Sequence, residues 1–309
     1  MLKREQFIGP WAGLPVAWKS DLSYDDKTYR ADIAACCEAN VPGVYTGGTS
    51  GEFYAQEYDE FTAVADATIQ ECKNGKTPVM IGCTALHTLG VIKRARYAAD
   101  KGADAIQVAL PFWMEVPDTE VVRFFKDVSD AVPGMPMTIY ETTRAKKAIS
   151  LEQHKQIHQA VPAIIGVKSN ANTLGNSPEG CTELSKMYNV FVGENRWGKL
   201  GPYGAIGCCS SFIYQNPRIL LMVFELRMKE KWDELNQWMA KYDHMCEEGL
   251  KPMFTVGCED SAIDRVLGLS AGFLKTSRQC RPPYPSCTEK HLADFRVWMN
   301  KYYPELMEL

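Results

Sequence analysis

Ala163-Ile164-Ile165-Gly166-Val167-Lys168-Ser169-Asn170 is a short apolar run, rich in β-branched residues, that turns polar at its C-terminal end. A run this short reads as a buried parallel strand. A lysine at the end of such a strand, where a core opens to a pocket, is placed for Schiff-base chemistry. Burial disfavours the ammonium and leaves neutral amine to attack a carbonyl. The competing reading is a solvated lysine where a strand meets its loop, and the run alone does not separate the two.

Working outward, runs of the same kind recur along the chain. Strands are predicted at Trp11 to Ala17, Gly43 to Thr46, Pro78 to Cys83, Ala105 to Leu110, Met137 to Tyr140, Ile164 to Lys168, Val190 to Gly193 and Ala205 to Cys209. Amphipathic helices are predicted between them, as at Tyr29 to Ala39, Tyr58 to Cys72, Thr88 to Lys101 and Thr119 to Ala131. Eight strands spaced mostly ~25–35 residues apart suggest an α/β fold, a (β/α)8 TIM barrel. A doubly wound sheet is the alternative, but no G-x-G-x-x-G follows the first strand. Gly47-Gly48-Thr49-Ser50-Gly51-Glu52 lacks the Gly-Lys-Ser/Thr ending of a P-loop.

Helical patterns at Pro217 to Glu248, Asp260 to Leu269 and Thr288 to Tyr303 exceed what one barrel repeat requires. The expected division is a barrel over residues 1–215 and, over 216–309, the last barrel helix with an appended C-terminal helical region. Pro282-Pro283-Tyr284-Pro285 marks a rigid loop within that region.

The net charge of −4 and the interspersed charges leave no footprint for nucleic acid or an anionic membrane. Met1-Leu2-Lys3-Arg4-Glu5-Gln6 offers no apolar run for a signal peptide, and no later stretch reaches the ~20 residues of a membrane helix. A cytoplasmic protein is expected. The 11 cysteines include no C-x-x-C pair, and most are expected to be reduced and to act as small core hydrophobes. His154 and His158 are the one helical pair four apart; without a metalloprotease glutamate beside them, they read as a surface face.

In a barrel, chemistry collects at the C-terminal ends of the strands. Strand two ends in Gly47-Gly48-Thr49-Ser50-Gly51-Glu52, whose glycines admit a ligand close to backbone N–H groups and whose hydroxyls can donate to a carboxylate. A plain capped βα turn would look the same. Strand four ends in the apolar lip Pro111-Phe112-Trp113-Met114. Strand five ends in Tyr140-Glu141-Thr142-Thr143-Arg144, where a phenol could pass protons and Arg144 could pair with a carboxylate. A rim tyrosine and a solvated Arg144-Ala145-Lys146-Lys147 loop are the bland readings. Strand six supplies Lys168, and neighbouring strands lie ~4.8 Å apart, so Tyr140 and Lys168 can meet.

In this combination the chain resembles the pyruvate-dependent Schiff-base aldolase superfamily of N-acetylneuraminate lyase and dihydrodipicolinate synthase. The G-T-T-G-E loop of that family stands here as Gly48-Thr49-Ser50-Gly51-Glu52, its tyrosine as Tyr140 and its G-[IV]-K strand as Gly166-Val167-Lys168. The resemblance spans the whole barrel. It implies an imine between Lys168 and a 2-oxo acid, proton transfer by Tyr140, and carboxylate binding and relay by Thr49 and Ser50. Gly48, Gly51, Trp113, Glu141, Arg144 and Ile206 complete the expected substrate contacts. The imine is itself the electron sink, so no cofactor or metal is expected. The resemblance further implies pyruvate and an aldehyde as partners, and a homotetramer.

Two departures narrow the reading. Dihydrodipicolinate synthases carry a tyrosine pair after strand four and Y-N-x-P after strand five; here stand Phe112-Trp113 and Tyr140-Glu141-Thr142-Thr143. The hydratase-aldolase branch, typified by trans-o-hydroxybenzylidenepyruvate hydratase-aldolase, is more similar. Its P-x-W matches Pro111-Phe112-Trp113, and its late G-[WF]-x-K…C-R-P-P-Y matches Gly272-Phe273-Leu274-Lys275 and Cys280-Arg281-Pro282-Pro283-Tyr284. The expected activity is reversible aldol cleavage with pyruvate as donor, coupled to hydration of an aromatic alkylidene pyruvate. The alternatives are a 2-keto-3-deoxy sugar acid dehydratase or aldolase, dihydrodipicolinate synthase itself, and a non-catalytic sensor barrel.

Overall fold

A computed structural model describes residues 1–309, and its strands close into a barrel in the order β1 to β8. The strands are Gly9–Gly13, Val44–Thr46, Val79–Gly82, Ala105–Val108, Met137–Glu141, Ile164–Ser169, Asn189–Phe191 and Ala205–Ser210. Helices α1 to α7 are Asp26–Glu38, Tyr58–Gly75, Thr88–Lys101, Asp118–Ala131, Leu151–Ala160, Pro178–Ser185 and Trp197–Leu200. Helices α8 to α12 are Pro217–Met228, Trp232–His244, Lys251–Thr255, Asp260–Ser270 and Glu289–Tyr302. The (β/α)8 barrel with C-terminal helices is therefore the observed architecture. No helix is long and apolar enough to cross a membrane.

Three expectations are corrected in detail. The first strand stops at Gly13 rather than Ala17. Leu14 still donates to the Tyr45 carbonyl at 3.1 Å, but Pro15 has no N–H with which to continue the ladder. The predicted helix from Pro217 to Glu248 is broken after Met228, because Glu230 adopts a left-handed φ of 54° and the chain reverses there without glycine or proline. The His154/His158 pair is not a surface face. His158 is exposed, but His154 is wholly buried beside Ile157, and a carboxylate described below gives its ring a polar neighbour.

The chain groups into two compact units, each discontinuous in sequence. One comprises Met1–Gly9 and Pro78–Cys209, the other Pro10–Thr77 and Ser210–Leu309. In the first, Phe7 stacks on Phe191 with ring centroids 4.0 Å apart. Two strand glycines make room for this pair. A Cβ on Gly166 would lie 2.4 Å from the Phe7 ring, and one on Gly207 would lie 2.4 Å from the Phe191 ring. Residues two apart on a strand share a face, so the aromatic pair forms a floor beneath Lys168 and Cys209. All 11 cysteines are free, and all but Cys209 and Cys246 are buried.

Candidate active site

In the first unit, strands β5 and β6 set the central pair. Met137 pairs with Ile164, but Thr138 pairs with Gly166, so Ile165 is an extra residue on β6. Beyond this bulge Tyr140 pairs with Lys168 and Glu141 with Ser169. The Lys168 Nζ stands 4.2 Å from the Tyr140 ring centroid. Tyr140 is buried and Lys168 half-buried, so the amine keeps an outlet from the barrel interior.

Two further side chains share this interior and were not read from the sequence. Gln107 on β4 donates from Nε2 to the Sγ of Cys209 on β8 at 3.7 Å. Burial pushes the Cys209 thiol up, while the Lys168 charge and the Gln107 bond pull it back. The available signal was strand parity: Cys209 shares the face of Gly207, and a polar Gln107 between apolar Ile106 and Val108 marks the opposite face from theirs.

Glu141 turns away from Lys168. Its Oε1 accepts the Ile149 N–H at 3.1 Å, and its Oε2 accepts the Ser169 hydroxyl at 3.4 Å. His154 Nε2 of α5 lies 3.5 Å from the same Oε2. Tyr188 stacks edge-on against that imidazole and donates to the His154 carbonyl at 2.9 Å. Burial, with the Glu141 charge behind it, pushes the Tyr188 phenol up. The carboxylate thus ties together the strand residues that follow Tyr140 and Lys168.

Of the remaining expected contacts in this unit, Trp113 and Arg144 lie in the segments that follow β4 and β5, whereas Ile206 is the second residue of β8. Trp113 is 73% exposed. Lys146 donates to the Trp113 carbonyl at 2.6 Å, and Lys147 reaches Asp118 at 2.8 Å and Glu115 at 3.0 Å. The basic cluster therefore fastens the loop after β5 to the loop after β4. Arg144 is exposed on the short turn Thr143–Ala145. Ile206 is half-buried at a register shift, where Val190 pairs with Ala205 and Phe191 with Gly207.

In the second unit, β2 runs into the glycine loop. Gly47 has φ +77°, and a Cβ on Gly48 would fall 1.8 Å from the Tyr45 hydroxyl, so a side chain at Gly48 would have to displace that phenol. Gln56 Nε2 holds the Gly51 carbonyl at 2.6 Å, and Thr49 and Ser50 are half-buried. Glu52, at φ 50°, closes the loop as its anchor. The carboxylate of Glu52 accepts from Trp18 Nε1 at 2.6 Å, from the Arg281 N–H at 2.9 Å and from Arg265 Nη2. The Glu52 and Arg265 side chains are fully buried.

The late motif braces the same loop. The Arg281 guanidinium stacks on the Trp18 ring at 3.9 Å, holds the Leu22 and Ala55 carbonyls, and pairs with Glu60, whose carboxyl it holds below the usual range. Tyr284 packs edge-on against Tyr54 at 4.6 Å. The Lys275 N–H donates to Asp32 of α1 at 2.6 Å. Arg281 and Tyr284 thus brace the glycine loop and the turn after it, while Lys275 fastens α1.

A strand-end amine can condense with a carbonyl to an imine, and a buried phenol beside it can move protons there. The family model described as "Dihydrodipicolinate synthetase family" matches residues 9–301. The chain is similar to trans-O-hydroxybenzylidenepyruvate hydratase-aldolase of Sphingobium xenophagum, 30% identical over 96% of this chain and 94% of that one. The Pseudomonas aeruginosa enzyme of the same name is 31% identical over 94% and 91%. Wild-type Ruminococcus gnavus sialic acid aldolase has the same fold, with a TM-score of 0.85 and 18% identity over 97% and 99% of the two chains. With the match running from the first strand into the last helix, the chain belongs to the dihydrodipicolinate synthetase family and, like its members, is a lyase.

Proposed function

We propose that the protein is a class I aldolase in which Lys168 forms an imine with pyruvate, and that it cleaves an aromatic alkylidene pyruvate after hydrating it. The observation that carries this reading is the placement of Lys168 Nζ 4.2 Å from the centre of the buried Tyr140 ring. The neutral amine adds to the C2 carbonyl of the 2-oxo acid, and water leaves with one proton supplied by Tyr140, giving the protonated imine and the Tyr140 phenolate. That imine withdraws electrons from C3, so the C3–C4 bond can break to an enamine. In the cleavage direction the Tyr140 phenolate takes the proton from the C4 hydroxyl as the aldehyde departs, which returns the phenol. The same phenol can serve the addition of water that creates this hydroxyl. Thr49 and Ser50, in the loop that follows β2, are assigned by the family resemblance to the substrate carboxylate and the proton relay.

No cofactor enters the reaction, because the imine supplies the electron sink. The aromatic preference is supported by the two relatives named above and by the apolar Phe112-Trp113 lip, where a relaying phenol would otherwise be expected. A cytosolic homotetramer completes the reading, supported by the family resemblance and testable by light scattering. The deciding experiment is borohydride reduction with pyruvate, followed by intact-mass and peptide analysis. A pyruvate adduct on Lys168 is expected, and none should form in Lys168→Ala. A wild-type protein without adduct overturns the imine. A panel of aromatic alkylidene pyruvates and keto-deoxy sugar acids then tests the substrate; pyruvate released from the sugar acids alone overturns the aromatic assignment.

A further inference from the structure

Among the C-terminal helices, three side chains distant in sequence meet. Cys258 lies in the loop between α10 and α11, Cys287 directly precedes the Thr288 N-cap of α12, and His291 is the third residue of that helix. Their two sulfurs and one ring nitrogen all lie within 4.8 Å of one another. Both cysteines are buried and His291 is half-buried.

We propose that Cys258, Cys287 and His291 bind one structural zinc ion, with water in the fourth position. Two thiolates and an imidazole are the soft and borderline donors that zinc selects over magnesium or calcium. Zinc–sulfur bonds of about 2.3 Å and zinc–nitrogen bonds of about 2.0 Å place tetrahedral ligand atoms roughly 3.5–3.8 Å apart, so the triangle needs only a small contraction. The charges also balance, because two thiolates, a dication and a neutral imidazole sum to zero, which suits burial. Binding therefore forms two zinc–sulfur bonds and one zinc–nitrogen bond and releases the two thiol protons to solvent.

The surrounding backbone is already fixed. The Cys258 N–H donates to the Met253 carbonyl at 3.1 Å, and the Cys287 carbonyl accepts from Arg278 Nη1 at 2.8 Å. His291 Nδ1 accepts the Thr288 N–H at 3.2 Å, a long bond that coordination through this nitrogen would replace. The other half of the capping box, from the His291 N–H to the Thr288 hydroxyl at 3.1 Å, is retained. A bound ion would clip the end of the segment that carries Arg281, the residue whose N–H holds Glu52. This gives the site a role in stability and loop order.

The test is cobalt(II) titration of the full chain, stripped with chelator and kept reduced. Expected are a thiolate-to-cobalt charge-transfer band and tetrahedral d–d bands that saturate at a single equivalent and disappear on adding zinc. Cys287→Ser should abolish the charge transfer. His291→Asn, which keeps a side-chain acceptor for the Thr288 N–H, should weaken binding while circular dichroism reports an intact fold. Elemental analysis of protein from zinc-supplemented cultures should find about one zinc per chain, released by Cys258→Ser. A folded, reduced wild-type chain without charge transfer overturns the proposal, as does unchanged uptake by Cys258→Ser. An intact mass two hydrogens lighter, with Cys258 and Cys287 cross-linked and no metal taken up, overturns it in favour of a disulfide.

Discussion

Tyr140 stands opposite Lys168 because β6 carries one residue more than its neighbour between Ile164 and Gly166. Extending the Met137–Ile164 pairing without that bulge would set Val167 against Tyr140, and a one-residue slip would exchange the faces of every side chain beyond it. The irregularity aims the amine, and it makes the two groups separable by mutation. Tyr140→Phe keeps the ring 4.2 Å from Lys168 Nζ and removes only the phenol. The expected result is a fall in turnover of about 10²–10⁴-fold, with borohydride trapping of pyruvate on Lys168 retained. Unchanged turnover in this variant would refute the proton-transfer role.

The Glu52–Arg265 pair is the most deeply buried ion pair of the second unit, and the glycine loop hangs from it. Glu52→Ala leaves the guanidinium buried without its carboxylate, and it also strips the acceptor from Trp18 Nε1. Removing one partner of a buried pair costs about 3–5 kcal/mol. Chemical denaturation should show that loss, and adding Arg265→Met should restore part of it. A double variant less stable than Glu52→Ala would show that Arg265 contributes mainly through its bonds to Val16, Thr276 and Ser277.

At Gly166 the constraint is steric. A Cβ there would enter the Phe7 ring at 2.4 Å, so Gly166→Ala overpacks the floor at a cost of about 1–3 kcal/mol. Phe7→Leu in the same chain should recover stability relative to Gly166→Ala alone. Thermal unfolding of the two single variants and the double variant closes the cycle, and strict additivity would rule out the proposed contact.

Asp32 gives a pH dependence of defined sign. Burial raises its carboxyl to about 6, against the bonds from Lys275 and Thr276 that favour the anion. An unfolded aspartate titrates near ~3.9, so the folded state binds this proton more tightly. Its contribution to stability is therefore fully present below about pH 4 and is lost as pH rises to about 6. Asp32→Asn mimics the protonated form. Urea titrations from pH 4 to 8 should show the variant gaining on the wild type as pH rises through that window, with a flat difference above it. A difference independent of pH throughout would refute the shift.

Much of the barrel was legible because buried strands are short apolar runs that end in polar residues, and Thr88–Lys101 matches its predicted bounds. The break at Glu230 was not legible, since a left-handed turn made without glycine leaves no compositional mark. Tyr140 and Lys168 could be brought together from strand order, but their height depends on the Ile165 bulge, which periodicity does not reveal. Glu141 was expected beside the substrate, yet strand alternation sends neighbours to opposite faces, and it meets Ser169 and His154 instead. That burial of His154 answers to a carboxylate distant in sequence, so a helical period alone could not show it. The cluster of Cys258, Cys287 and His291 is likewise a product of tertiary folding, with no local metal-binding spacing.

The stacked Phe7–Phe191 floor also bears on leakage. With Phe7 and Phe191 almost fully buried below Lys168, the amine has an apolar, water-poor surface on that side. If Lys168 carries the proposed enamine, that side offers no water to protonate it, so its lifetime would depend on what reaches it from elsewhere.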